Sequence, residues 1–421
     1  MAKIKHIFAR EILNAKGNPT VEATVILSDN VKGTASCPSG TSVGKYEAAE
    51  IKDADPQRYN GLGVLKAIDN INSIIAPKLI GVEAEKQTQI DKIIIELDST
   101  INKSRLGVNA ILPISMACAK ASAKSSGLPL FIYLRQFLQK EIALKIPTPA
   151  FNFINGGKHA DGNLDFQEIL AIPATSKTFS QSLQMADSIY FSLKNLIKER
   201  NGVTLVGDEG GFSPLLATNY DAILLLKSAI DESKFRFNYD VFMGMDLASS
   251  NFYKDGKYTI KDKQQALSTD ELLEFYRNLN HDFRFLYMED PFAEDDFSGW
   301  TKINQEFLGQ TLIVGDDLVA TNPYRLQMAL EKKAITGLIV KPNQIGTVIE
   351  ALAVVEIARQ SGLKIIVSHR SGETNDDFIA DFAVAAGADY VKFGAPARGE
   401  RVAKYNRLLE IEEHLKTLKT S

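Results

Sequence analysis

The chain has 421 residues, 45% of them apolar and 24% charged, enough to bury a core without metal or disulfide support. Its 48 basic residues nearly balance 52 acidic ones, and the net charge of −4 gives no electrostatic basis for holding nucleic acid or another polyanion. No run of 18 apolar residues exists to span a membrane, Met1-Ala2-Lys3-Ile4-Lys5-His6 has no apolar signal core, and Cys37 and Cys118 make no disulfide framework, so a reduced cytoplasmic setting is expected.

Two alternating runs, Ile4 to Arg10 and Thr20 to Ser28, flank the turn residues Asn14-Ala15-Lys16-Gly17-Asn18-Pro19 and predict a hairpin. A small-residue loop follows from Cys37 to Gly44. Helical periodicity then covers Gly63 to Leu79, Glu85 to Asp98 and Asn109 to Ser126. Strands first and helices after predict an α+β amino-terminal domain over residues 1–135. The stretch 139–150, ending Ile146-Pro147-Thr148-Pro149, reads as a linker or domain entry.

Over residues 136–421 the pattern changes. Apolar runs of strand length recur, each ending in a polar residue and each followed by a helical pattern. The steps from Glu289 to Asp316, Lys341, His369 and Lys392 are 27, 25, 28 and 23 residues, each about one βα unit. That beat predicts an α/β fold, a (β/α) barrel with catalytic side chains at the C-terminal ends of its strands.

Six successive strand ends carry Asp246, Glu289, Asp316, Lys341, His369-Arg370 and Lys392, and a barrel brings them to one mouth. Asp246, Glu289 and Asp316 form an all-oxygen set of the kind Mg²⁺ takes, although an aspartate in such a place also caps helices. Lys341 ends an apolar strand, where neighbouring cations would lower its pKa from about 10.4 towards a neutral amine able to act as a base. His369-Arg370-Ser371-Gly372 joins a guanidinium fork, a hydroxyl and backbone N–H groups into a phosphate grip. Glu209 lies among glycines in Gly207-Asp208-Glu209-Gly210-Gly211, where a carboxyl can approach a ligand closely and serve as a general acid. His159 and the pair Gln167-Glu168 complete the set, although a lone histidine is more often structural.

Seven segments in order resemble the enolases, of the bacterial type. They are Gly-Asp-Glu-Gly-Gly-Phe-Ser-Pro (207–214), Met-Asp-Leu-Ala-Ser-Ser (245–250), Glu-Asp-Pro-Phe (289–292), Gly-Asp-Asp-Leu (315–318), Val-Lys-Pro-Asn-Gln-Ile-Gly-Thr (340–347), Ser-His-Arg-Ser-Gly-Glu-Thr (368–374) and Ala-Lys-Tyr-Asn (403–406). The resemblance runs from Ala9-Arg10-Glu11 to the last helix. It implies a modified TIM-type (β/α)8 barrel whose opening strands are antiparallel. It implies the reversible dehydration of 2-phospho-D-glycerate to phosphoenolpyruvate, with two Mg²⁺ ions per site.

By the same resemblance Lys341 is the base at C2, and Glu209 the acid at the C3 hydroxyl, supported by Glu168 and His159. Asp246, Glu289 and Asp316 hold the first metal ion, and Ser42 a second one shared with the phosphate. Arg370 and Ser371 bind the phosphate, Lys392, His159 and Gln167 make the other substrate contacts, and Ser368 and His369 also touch the substrate. Glu168, Glu289, Asp316 and Lys341 also border the substrate.

The resemblance further implies a homodimer or higher oligomer, in which the hairpin meets the last helix of a second copy. Arg10 and Glu413 match one ion pair across that contact, while Glu410 would face Glu22 with a like charge. Five positions depart from the family pattern: Lys16 replaces an arginine, Thr41 an alanine, Val43 a threonine, Phe393 a threonine and Glu410 an arginine. Two other functions stand beside the leading one. The first is a superfamily dehydratase or racemase for an unphosphorylated acid, against which the grip at 369–371 and the loop 38–44 argue. The second is an added binding role at a cell surface, without a signal peptide, or in an RNA-processing assembly.

Overall fold

A computed structural model describes residues 2–41 and 44–420. Strands β1 (Ile4–Leu13), β2 (Pro19–Leu27) and β3 (Lys32–Ser36) form an antiparallel sheet. The β1–β2 turn is built by Asn14, whose Oδ1 accepts the N–H groups of Lys16 (2.9 Å) and Asn18 (3.1 Å), and by Gly17 at φ +73°. Val21, Ala23, Val25 and Leu27 of β2 are buried beneath the helix Val108–Ser125. Gly33 of β3 lets that helix approach, since a Cβ there would lie 2.1 Å from Ala117 O. The other predicted helices are present as Gln87–Asp98 and as an unbroken run of the helical segments Leu65–Asp69, Asn70–Ile75 and Ala76–Leu79.

A second sheet joins β4 (Thr148–Pro149), β5 (Phe151–Asn155), β6 (Glu168–Pro173) and β7 (Val241–Asp246) to five later strands. After the small hairpin of β8 (Tyr253–Lys254) and β9 (Lys257–Tyr258) come β10 (Tyr287–Glu289), β11 (Leu312–Gly315), β12 (Gly337–Val340), β13 (Lys364–Ser368) and β14 (Tyr390–Lys392). β4 pairs with β14, and β5, one residue further along the chain, pairs with β6, so the nine segments close into an eight-stranded barrel. The β5–β6 and β6–β7 pairs are antiparallel and the rest parallel, as expected of the modified barrel.

The segment 148–149 is thus a barrel strand and not a linker. Its proline is tolerated because Thr148 N and Ala150 N are the groups that donate to β14, to Asp389 O (3.0 Å) and Val391 O (2.8 Å). Helices between the strands start at side-chain caps, among them Thr178 with Gln181, Thr218 with Asp221 and Ser268 with Glu271, each bonded reciprocally.

Strand parity decides what the barrel holds. Ala150, Leu170, Ile172, Tyr287, Val314, Ile339, Ile366 and Tyr390 pack together as its inner layer. Side chains alternate along a strand. Two residues from this layer, on the same face, stand Glu168, Glu289, Asp316, Lys341, Ser368 and Lys392. Asp246 joins them through its register with Glu168 and Glu289. The ring of polar residues at the mouth therefore follows from the apolar ring beneath it.

Candidate active site

Lys392 is the hub of this ring. Its Nζ lies 2.7 Å from Glu289 Oε1, 2.9 Å from Asp246 Oδ2 and 3.3 Å from Glu168 Oε1, and all four side chains are buried. Burial opposes the lysine's charge, but the three acids hold its pKa well above the ordinary value. Burial and the neighbouring Asp246 push the Glu289 carboxyl up to about 8, and Tyr287 OH donates to its other oxygen. Gln167 Nε2 donates to Asp246 Oδ2 at 3.3 Å.

Lys341 Nζ is paired with Asp316 Oδ2, whose other oxygen accepts from Gln344 Nε2 at 3.1 Å. This overturns the expected direction for Lys341. Burial lowers its pKa, but the carboxylates of Asp316 and Glu289 together hold the amine above its ordinary range. The lysine here is a charged partner of Asp316.

The all-oxygen set fits a hard divalent cation. Asp246, Glu289 and Asp316 are buried, and with Glu168 they set four carboxyls against the two lysines Lys341 and Lys392. Among the described residues, ligand atoms lie within 4.8 Å of one another in His159, Glu168 and Glu209, and in Asp290, Asp316 and Asp317. Asp246, Glu289 and Asp316 are not gathered so closely, each being engaged by a lysine. The oxygens of Asp290 already accept the N–H groups of Asp316 (2.9 Å) and Asp317 (2.8 Å). Ser42 and Val43 lie outside the described residues.

Glu209 sits on a turn whose residue Gly207 packs so tightly that a Cβ would meet His159 O at 2.5 Å. Its Oε2 lies 3.1 Å from His369 Nε2 and accepts from Asn152 Nδ2 at 3.1 Å, and its Oε1 is 3.5 Å from His159 Nδ1. His159 Nδ1 is also 3.5 Å from Glu168 Oε1. Burial works against the Glu209 carboxylate, but His369, His159 and Arg401 outweigh it and hold the carboxyl well below the usual range. Glu168 moves the other way, raised by burial and by Glu209.

The fork of Arg370 is turned to Glu47, with Nη1–Oε2 at 2.7 Å and Nη2–Oε1 at 3.2 Å, and Nη1 also donates to Asn343 Oδ1 at 3.1 Å. Ser371 Oγ accepts from Thr41 N at 2.9 Å and lies 2.6 Å from Thr41 Oγ1. Lys16 Nζ donates to Thr41 Oγ1 (2.7 Å) and Asp208 Oδ2 (2.6 Å), tying the hairpin turn to the small-residue loop and to the Glu209 turn.

A small pocket of about 20 Å³ is lined by Gly40, Thr41, His159, Gln167, Glu168, Glu209, Asp246, Lys341, Ser368, His369, Arg370, Ser371 and Lys392. Every described residue singled out from the sequence for acid, base or substrate contact borders it, except Glu289 and Asp316, which stand behind the two lysines. Phe393 is buried against His369 and Tyr405, with centroids 6.5 and 6.1 Å away.

Glu47, Asn152 and Arg401 were not legible as site residues. A carboxylate three residues past the loop's Gly44 and an arginine in the final helix carry no local signal. Only the fold brings them to Arg370, Glu209 and His369.

The family model described as "Enolase, N-terminal domain" matches residues 4–134, and that described as "Enolase, C-terminal TIM barrel domain" matches residues 143–420.

Proposed function

The chain belongs to the enolase family, and from that premise we propose that it interconverts 2-phospho-D-glycerate with phosphoenolpyruvate and water, a step of glycolysis and gluconeogenesis. The observation that carries this reading is the pocket itself. A part-buried lysine, Lys341, and a buried carboxyl, Glu209, border one pocket together with Lys392, Glu168 and Asp246.

In this reading Lys341 takes the proton from C2, and Glu209 gives one to the departing C3 hydroxyl, with Glu168 and His159 beside it. Removing a proton next to a carboxylate places a second negative charge on that carboxylate, and preorganised positive charge is what stabilises it. Lys392 is fixed for that purpose by its three carboxylates. Asp246, Glu289 and Asp316 would hold Mg²⁺, with Ser42 as the expected ligand of a second ion, and such ions would supply further positive charge to the substrate's carboxylate and phosphate. Asp316 cannot serve a cation and Lys341 equally. Once Asp316 turns away, Lys341 loses its counter-charge and burial drives it towards the neutral amine a base requires. Glu209 needs the opposite change, and a substrate bearing phosphate and carboxylate brings the negative charge that raises its carboxyl. The phosphate competes with Glu47 for Arg370, beside Ser368, His369 and Ser371, while Gln167 orients the rest.

We also place the contact of a homodimer at the hairpin, where Phe8 (49%) and Leu13 (56%) of β1 stand exposed. Glu22 is met within the chain by Arg10 at 2.6 Å and Glu410 by Arg407 at 2.8 Å, so the like charges expected to oppose each other each carry a partner. The test of the activity is ultraviolet absorbance of phosphoenolpyruvate formed from 2-phosphoglycerate, with and without Mg²⁺. Formation only with metal supports the reading, and none under either condition overturns it.

A further inference from the structure

Arg401 is fully buried, at 0% exposure, and the reaction assigns it no task. Its guanidinium serves the backbone of the site. Nη1 donates to Arg370 O at 2.6 Å, and Nη2 donates to Asp208 O at 2.9 Å and to Ser371 O at 2.6 Å. Nε faces Glu400 Oε1 at 3.4 Å. The remaining contact of Nη1 is to His369 Nδ1, at 2.9 Å.

A guanidinium has donors and no acceptor. Nδ1 must therefore accept, and a neutral ring then carries its proton on Nε2. That nitrogen lies 3.1 Å from Glu209 Oε2, close enough for its dipole to act on the carboxylate but not aligned as a hydrogen bond. The charged groups around the ring are Glu209, Arg401 and Lys392, and on its other side it meets Phe393 and Gly394. Burial, with Arg401 and Lys392, outweighs Glu209 and holds the imidazole down to about 3, so the ring is neutral across the working range.

We propose that Arg401 is a positioning residue for the acid step: it fixes the Nε2–H tautomer of His369, and that N–H steadies the carboxylate Glu209 becomes on giving up its proton. Through the carbonyls of Asp208 and Ser371 the same guanidinium ties the Glu209 turn to the segment bearing Arg370. The role rests on reading Glu209 as the acid, while the tautomer itself does not.

Two measurements test it. In ¹⁵N-histidine-labelled protein, the His369 ring is assigned by its loss in His369→Asn. The proposal expects a protonated Nε2 and a bare Nδ1 at neutral pH. A proton on Nδ1, or a charged ring, overturns it whatever the protein's activity.

The second measurement is kinetic. Arg401→Met is expected to lower kcat for dehydration about 10²-fold or more, the scale of a misplaced general acid. KM and the exchange of the C2 hydrogen with D₂O should stay within a few-fold, because Lys341 is untouched. Arg401→Lys, which keeps the charge and one donor, should recover part of the loss. Dehydration and C2 exchange falling together in either variant would reduce Arg401 to a structural residue. Should Arg401→Met fail to fold, the lysine variant and the tautomer decide.

Discussion

Asp91 offers the cleanest measure of how the two parts of the chain are joined, because its environment is buried and closed. It lies in the helix Gln87–Asp98, and its Oδ1 accepts from Gln87 Nε2 (2.9 Å) and Ser115 Oγ (2.7 Å). Its Oδ2 accepts from Ile349 N (3.0 Å) in the first turn of Val348–Gln360, the helix that follows the Lys341 turn. Burial nevertheless raises the carboxyl from 3.8 to about 7, since three hydrogen bonds do not replace the lost water. The folded chain therefore keeps a proton that the unfolded chain has released between about pH 4 and 7. Stability falls as pH rises through that window and levels off above it, by about 4 kcal/mol from this group alone. Asp91→Asn removes the titration while putting donors where Gln87 and Ser115 already donate. The assay is urea unfolding of both proteins at pH 5 and pH 8. We expect the native chain to exceed the variant by several kcal/mol at pH 5 and by far less at pH 8. A difference that does not change with pH would refute the account of this carboxyl.

Exhaustive chelation should abolish turnover, and Asp316→Asn should weaken metal binding while leaving the circular dichroism spectrum unchanged; turnover that survives chelation would remove the three acids as ligands. Lys16→Met should raise KM for 2-phosphoglycerate about 10-fold, because two polar contacts of a largely buried ammonium are worth about 1–2 kcal/mol together, with Lys16→Arg close to the native value. An unchanged KM in Lys16→Met would show that the clasp to Thr41 and Asp208 does not hold the loop. Glu410→Arg, which removes the intrachain partner of Arg407, should leave the dimer's dissociation in sedimentation within a few-fold of native; a marked tightening would restore the like-charge clash that Arg10 and Arg407 relieve.

The mouth of the barrel was readable because apolar runs ending in a polar residue recur at the spacing of one βα unit, which a sequence displays directly. β3 was not, since Lys32-Gly33-Thr34-Ala35-Ser36 has no bulky apolar residue to mark its buried face and owes its pairing to β2. β4 read as a linker because prolines at 147 and 149 argue against a strand. Only the pairing of Thr148 and Ala150 with β14 shows why Pro149 is harmless there. The charge on Lys341 was misjudged for a related reason. The sequence gives the residues at a mouth but not which of them meet, and the nearest partner of Lys341 proved to be Asp316. Glu47 and Arg401 reach the site from outside the strand ends and leave no trace in spacing.

The central claim is that Lys341 and Glu209 move different protons, and NMR of 2-phosphoglycerate in D₂O tests it most directly. Lys341→Ala should lose both dehydration and C2 exchange. Glu209→Gln, which keeps the shape and loses the proton, should cut dehydration by about 10²–10⁴-fold and still exchange the C2 hydrogen measurably. Exchange that persists in Lys341→Ala, or that vanishes in a folded Glu209→Gln, would contradict it.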